Sequence, residues 1–407
     1  MKKRYDVAII GGGASGMAAA IELKMSSPDC AVIIIEKNDA LGRKIRATGN
    51  GRCNIANKNA NGYIEIMKFF MKIGLMTRSC DGDLVYPYSE SAADVVDLLT
   101  ARLDELGVDL MLSTMVSEIE PMPEKNNNSA AYTDNVLMDR RYSIRCSHQY
   151  TNGSTSHDTI AADQVILAVG GKAGPAFGTT GDGYAIARKL GHTVVTPIPV
   201  LTSVECAEWD KECRPSAASL AGIRARGIVS LYCDETGAFT EDTKVFEEAG
   251  EIQFTKYGLS GICIFNMTRF MRYSRADGET LDQFRIKIDL FPEGNIRELE
   301  AVSGRPDVLR TVLKKELADY VRANGIESIH ELTFTPSAIR GWKDAQATSG
   351  GVDLGEIDPM TCESRLQPGL YITGELLDYD GPCGGYNLSN AWHTGLKAAQ
   401  SIASGTH

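Results

Sequence analysis

Three glycines and one acid carry the most readable chemistry in this chain. Gly11, Gly13 and Gly16 stand in the run Gly11-Gly12-Gly13-Ala14-Ser15-Gly16, directly after the apolar stretch Tyr5–Ile10. Glu36 closes the next apolar run, Ala31–Ile35. In this order Gly11 permits a tight turn, Gly13 lets backbone approach a pyrophosphate, and Gly16 lets the following helix pack close to the strand. Ala14 and Ser15 open that helix, whose free N–H groups and positive dipole end suit phosphate. Glu36 can accept hydrogen bonds from a ribose diol, and its charge disfavours a 2′-phosphate. The pattern predicts a strand, a helix over Ala14–Met25, and a bound dinucleotide.

The segment after Glu36 narrows the ligand. Lys37, Gly42, Arg43, Lys44, Thr48, Gly49, Asn50, Gly51, Arg52, Cys53 and Asn54 fall in a stretch dense in Gly, Asn and Arg, with no hydrophobic stripe. Such a stretch is a poor helix or strand and a good ligand loop. Arg43, Lys44, Arg46 and Arg52 would compensate the charge of a pyrophosphate or an anionic substrate. More glycine-rich motifs lie further along: Val165–Gly171, Gly178–Tyr184, Phe254–Gly261, Ala347–Val352, Gly369–Asp378 and Gly381–Ala391. Leu370–Thr373 reads as a strand ended by Gly374-Glu375, where α/β folds place ligands. Gly384 and Gly385 would let backbone lie against a flat ring, and Tyr386–Lys397 reads as a helix starting at Gly385–Leu388.

These motifs, in this order over nearly the whole chain, resemble the BaiN-like flavoproteins, also catalogued as aminoacetone-oxidase-family FAD-binding enzymes. The resemblance implies a noncovalent FAD. It places further cofactor contacts at Val116, Ala168, Gly170, Gly171, Asp182, Gly183, Gly374, Glu375, Asp378, Tyr386, Asn387 and Leu388. It also implies an α/β fold: a Rossmann-like FAD-binding domain of the glutathione-reductase type, interrupted by a β-rich domain with a small helical subdomain. The reading along the chain divides it at 1–190, 191–336 with helices near 293–330, and 337–407. Ser91–Leu106 has helical spacing with Ser91 as N-cap. Glu124–Ser129 reads as a polar hairpin tip. Val308, Leu309, Val312, Leu313, Leu317, Tyr320 and Val321 mark one amphipathic helix.

Composition bounds the function. A formal charge of −11 over 407 residues argues against a general affinity for nucleic acid or an anionic membrane. Ten cysteines occur without Cys-x-x-Cys or zinc-ligand spacing, so they read as free thiols in a reducing cytoplasm, and no metal is expected. Met1-Lys2-Lys3-Arg4 is basic, but Asp6 and the glycines interrupt the apolar stretch beyond it, so no secretory leader is read there. No apolar run is long enough to cross a bilayer. Oligomeric state does not follow from the chain.

No second glycine fingerprint provides a separate nicotinamide domain, so NADH or NADPH would dock transiently as reductant. The leading expectation is reduction of an activated C=C bond in a small molecule such as a 3-oxo bile acid or steroid-like enone, with hydride delivered from the flavin N5. Candidates for the accompanying acid are Tyr257, Lys256 and Cys383. The family carries His where this chain has Lys256, which argues against a histidine acid; Cys383 suits a small residue packed on a ring. His393 reads as a structurally satisfied histidine. An amine oxidase is the alternative, and a flavoprotein acting on RNA or a redox partner ranks last.

Overall fold

The computed structural model describes residues 4–80, 82–122, 141–150, 153–210, 212–213, 215–271, 280–303 and 308–405. The hairpin tip expected at 124–129 lies outside them. The chain forms two compact units, one of residues 1–197 with 347–407 and one of residues 198–346.

The first unit is built on a mostly parallel sheet. The strand β1 (Arg4–Ile10) pairs in parallel with β2 (Val32–Ile35) on one side and with Thr155–Leu167 on the other. Asp109–Met111 extends the sheet beyond β2, and Leu370–Ile372 lies parallel to Val165–Leu167. Tyr142–Gln149 and Thr114–Pro121 complete it as an antiparallel meander. Ile10 is in register with Ile35 and Leu167, and Leu167 with Ile372. Four strands from distant parts of the chain therefore end at one level. β2 is buried throughout, as a parallel strand covered on both faces should be. Val7, Ile9, Val32 and Ile34 pack on the helical side, while Ala8, Ile10, Ile33 and Ile35 join the meander core.

The helix α1 (Ala14–Ser26) packs against the C-terminal helix Tyr386–Ser404, which runs seven residues past the expected Lys397. Contact is close because Gly395 has no side chain: a Cβ there would sit 2.3 Å from the Ser15 carbonyl oxygen. Trp392 of the same helix is fully buried, edge-on to Phe70 at 5.2 Å, and its Nε1 donates to the Ile55 carbonyl at 3.1 Å. The expected Ser91 cap is present, its hydroxyl accepting from Asp94 N at 3.2 Å at the head of Ala92–Glu105.

The second unit holds a seven-stranded antiparallel sheet, ordered Leu332–Phe334, Phe284–Asp289, Arg224–Cys233, Lys244–Phe254, Gly258–Ser260, Val204–Cys206, Pro336–Ile339. The boundaries differ from 190/191 and 336/337. Residues 191–197 stay with the first unit, where Asp353 N donates to the Thr193 carbonyl at 3.0 Å. Residues 337–346 stay with the second, because Pro336–Ile339 is a strand of its sheet. The single amphipathic helix expected over 308–321 is instead two, Leu309–Val312 and Lys315–Ala323. Leu313 and Lys314 between them are extended, which lets Leu309 and Leu317 both reach the core. Among the described residues no helix is long and apolar enough to cross a membrane, and no cluster of His, Cys, Asp or Glu could hold a metal.

Trp392→Ala removes a fully buried aromatic and its hydrogen bond. It is expected to destabilise the first unit by about 3–5 kcal/mol, read as an earlier denaturant midpoint by circular dichroism.

Candidate cofactor site

At the carboxyl end of β1 the glycine run makes a bare cradle. Gly11 has φ 105°, and a Cβ there would lie 2.4 Å from the Ala168 carbonyl oxygen at the end of the neighbouring strand. A Cβ on Gly16 would meet the Gly11 carbonyl oxygen at 2.0 Å. These two contacts fix the turn and seat α1. Around Gly13, by contrast, a Cβ would find nothing within 4 Å. No side chain caps α1, and its first turn carries no acid. The helix start at Gly13 thus borders an open space, and its N–H groups and positive dipole end suit phosphate there.

Glu36, buried at the end of β2, is tied to this turn. Its Oε2 accepts from Gly12 N at 2.7 Å, and its Oε1 accepts from Asn38 N at 2.8 Å and Asn38 Nδ2 at 2.7 Å. A carboxylate offers about four acceptor sites, so Glu36 keeps capacity for one ribose hydroxyl while it rigidifies the loop. Asn38 was not among the expected site residues, since nothing but its proximity to Glu36 marks it in the sequence.

The structure gives the basic cluster partners. Each of its members faces a carboxylate: Arg43 faces Asp39 at 3.8 Å, Lys44 faces Glu375 at 2.7 Å, Arg46 faces Asp97 at 2.7 Å and Arg52 faces Glu90 at 3.7 Å. Arg52 also lies over the Tyr86 ring. Spacing in sequence could not show these partners, most of which come from other elements. The cluster is therefore not one free positive patch. Lys37 pairs with Asp182 and also donates to Thr180 at 2.7 Å, tying the end of β2 to the helix Asp182–Lys189, in which Gly183 is the second residue.

Lys44 belongs to a network that closes the site. Its partner Glu375 accepts from Thr348 N at 2.9 Å, and the Thr348 hydroxyl accepts from Lys172 N at 2.8 Å and Ala173 N at 3.0 Å, just after Gly170 and Gly171. Asp378 accepts from Gly350 N at 3.0 Å. Thr348 stands in the Ala347–Val352 motif, which the sequence marks without giving this residue a role; its backbone N holds Glu375 while its hydroxyl holds the segment just after Gly170 and Gly171. Val116 has its side chain in the meander core, and its strand meets the site through Thr114 N, which donates to the Glu36 carbonyl at 2.9 Å.

The ligand-loop segment is locally helical over Ile45–Gly51, but interrupted at Thr48, Gly49 and Asn50, the last two left-handed. Cys53 is buried, and burial pushes its thiol up to about 11, so it stays protonated. Asn54, oriented by its hydrogen-bond network, donates to the Val85 and Ala56 carbonyls and accepts from Gly385 N at 3.1 Å. Gly385 has φ 93° and heads the C-terminal helix, which again has neither a side-chain cap nor an acid in its first turn. Asn387 clasps the preceding loop, accepting from Gly381 N and donating to the Gly381 carbonyl, both at 2.8 Å. Gly384 accepts from Asn57 Nδ2 at 3.0 Å, with Cys383 immediately before it and Tyr386 and Leu388 in the first turn after it. Thr373 donates to Ser15 Oγ at 3.2 Å, and Gly374 N donates to Thr394 Oγ1 at 2.9 Å. His393, further along the same helix, is pushed below its ordinary pKa by burial, and, against the expectation of a satisfied histidine, its Nδ1 is buried with no hydrogen-bond partner among the described residues. Lys256 and Tyr257 lie in the second unit.

The open cradle, the two bare helix ends and the acid on the ribose side fit a dinucleotide. Fold and site together define a FAD-dependent oxidoreductase of the Rossmann class. The chain belongs to the HI0933-like family: the profile described as HI0933-like protein Rossmann domain matches residues 5–64 and 62–401. It is 32% identical to a 3-dehydro-bile acid delta(4,6)-reductase of Clostridium scindens, across 98% of each chain. It is 26% identical to a ribosomal RNA dihydrouridine synthase of Haemophilus influenzae, across 99% of this chain and 100% of that one. The fold is also that of the 3-ketosteroid delta1-dehydrogenase from Sterolibacterium denitrificans, with TM-score 0.51, 12% identity, and 99% and 100% of the two chains covered.

Gly11→Ala is expected to abolish FAD uptake by the apoprotein, followed by quenching of flavin fluorescence. Glu36→Gln turns one acceptor into a donor facing the donors on Gly12 and Asn38. Hydrogen bonds to a charged group contribute about 1.5–3 kcal/mol, so FAD affinity should fall by roughly 10- to 100-fold in the same titration. Cys53 should resist alkylation at pH 8 until the protein unfolds.

Proposed function

We propose that this chain is a reductase of carbon–carbon double bonds conjugated to a carbonyl, acting on a small 3-oxo bile acid or steroid-like enone, with NADH or NADPH as electron source. The observation that carries this reading is the identity of 32% over 98% of both chains with a bile acid reductase. A dihydrouridine synthase, by its name, also adds hydrogen across a C=C bond next to a carbonyl, so the two kinds of relative share one reaction type. Bound FAD would supply a hydride equivalent to the β-carbon of such a bond.

The residues of the chain do the remaining work. The α1 end and the Gly13 gap hold the pyrophosphate, and Glu36 orients the ribose. The first-turn N–H groups of Tyr386–Ser404 stabilise negative charge that builds up beside them, which favours the reduced cofactor. The Asn387 clasp holds that helix end in place, so the N–H groups need no reorganisation during turnover. The protonated Cys53 adds no competing charge.

A second reading, reduction of uracil in ribosomal RNA, is favoured by the full-length match to the Haemophilus influenzae protein. The formal charge of −11 weighs against it, since phosphate contacts dominate nucleic-acid affinity. The experiment presents anaerobically photoreduced holoprotein with a 3-oxo steroid enone and with an rRNA fragment, and oxidised holoprotein in air with aminoacetone. Reoxidation of the flavin with loss of the enone chromophore is the expected result. Reoxidation by RNA alone, or peroxide released with the amine alone, would replace this reading with another.

A further inference from the structure

Glu22 is a charge that neither the fold nor the cofactor site uses. It is the one charged residue in the stretch Ser15–Leu23 of α1, every member of which is buried, and it is itself only 5% exposed. Its Oε1 accepts from Gln400 Nε2 on the C-terminal helix at 3.1 Å. Among the described residues it has no other hydrogen bond and no ion pair. A buried carboxylate with one neutral partner is costly to keep. The cradle lies at the opposite end of α1 and draws no contact from it.

Glu22 lines a cavity of about 190 Å³ between α1, the helix Tyr63–Lys72 and the C-terminal helix. Glu65, Lys68, Phe69 and Lys72 reach it from one stripe of Tyr63–Lys72, at spacings of three and four. Leu396 and Gln400 reach it from one face of the C-terminal helix. Phe69 and Leu396 are buried and give the cavity apolar wall. Glu65, Lys68 and Lys72 are exposed. Glu65 and Lys68 have the spacing of a helical ion pair, yet among the described residues neither they nor Lys72 are paired. Two carboxylates and two ammonium groups therefore share one cleft without answering each other.

We propose that this cleft binds a small α-amino acid, its ammonium group on the Glu22 and Glu65 carboxylates and its carboxylate on the Lys68 and Lys72 ammonium groups. A simple anion meets the two acids and a simple cation meets the two lysines, whereas a zwitterion answers both signs. The volume admits one small molecule in place of several waters, and Phe69 and Leu396 suit a short aliphatic side chain. The ligand supplies the cationic partner that Glu22 lacks, which offsets the cost of burying that group. It also braces three helices, two of which, α1 and the C-terminal helix, begin at the cofactor cradle. The site stands whether or not the chain reduces an enone.

The test titrates the holoprotein with L-alanine by isothermal calorimetry, with acetate and ethylammonium as the two half-ligands. L-alanine should bind at one per chain, and each half-ligand at least ~10-fold more weakly, since each forfeits the hydrogen bonds to charged groups at one end. Saturating L-alanine should raise the thermal midpoint of the holoprotein, as a ligand of the folded state does. Glu22→Gln, and separately the pair Lys68→Met with Lys72→Met, should each weaken L-alanine by roughly 10- to 100-fold. The two lysines are exposed, so the second variant keeps its fold and its flavin spectrum even where Glu22→Gln does not. Absence of heat and of any midpoint shift with L-alanine overturns the proposal. So does binding of L-alanine that is unchanged when both lysines are replaced. Ethylammonium bound as tightly as L-alanine overturns it too, and assigns the cleft to a cation alone.

Discussion

The site depends on how closely backbone approaches backbone around the start of α1. The Gly11 turn lies against the end of the Thr155–Leu167 strand, Gly16 lies against Gly11, and Gly395 of the C-terminal helix lies against Ser15. Each approach would put an added Cβ within 2.4 Å of a carbonyl oxygen. Interiors at native packing density cannot absorb that. With those side chains absent, α1 drops between sheet and helix, and its N-terminus is fixed at the level where four strands end.

That level also brings the two chain ends together. β1 and β2 come from the first forty residues, and Leu370–Ile372 with Tyr386–Ser404 from the last forty. Joining them places two uncapped helix N-termini in one unit. A fixed dipole end remains positive over the whole pH range in which the fold holds, whereas the arginines and lysines of the nearby loop are each answered by a carboxylate. The unit therefore offers an anion backbone dipoles rather than mobile cations, and these cost no rearrangement when the ligand arrives.

Much of this is legible in the sequence, because it depends on local rules. A glycine fingerprint between an apolar run and a helix seldom marks anything but a phosphate-binding turn, and the Ser91 cap follows from residue type and position. The register of Ile10, Ile35, Leu167 and Ile372 is less local, yet these strands read as apolar runs with a glycine or an acid at or near the end, so the strand ends could be marked. The partners of Lys44, Arg46 and Arg52 could not, since Glu375, Asp97 and Glu90 are brought near only by the tertiary fold. The break at Leu313–Lys314 was hidden for another reason. Apolar spacing stays helical across it, and neither residue is a helix breaker, so packing alone decides where the chain turns extended. Thr348 and Asn38 were unreadable because their roles lie in hydrogen bonds with backbone and with a buried carboxylate, which leave no pattern in side-chain type.

The most direct measurement is the anaerobic visible spectrum of the purified protein, with flavin released by denaturation and counted, followed by titration with NADH and then NADPH. The account predicts FAD bound noncovalently at one per chain and bleached by one of the two nucleotides. A protein that carries no flavin and takes up none when FAD is added would contradict it.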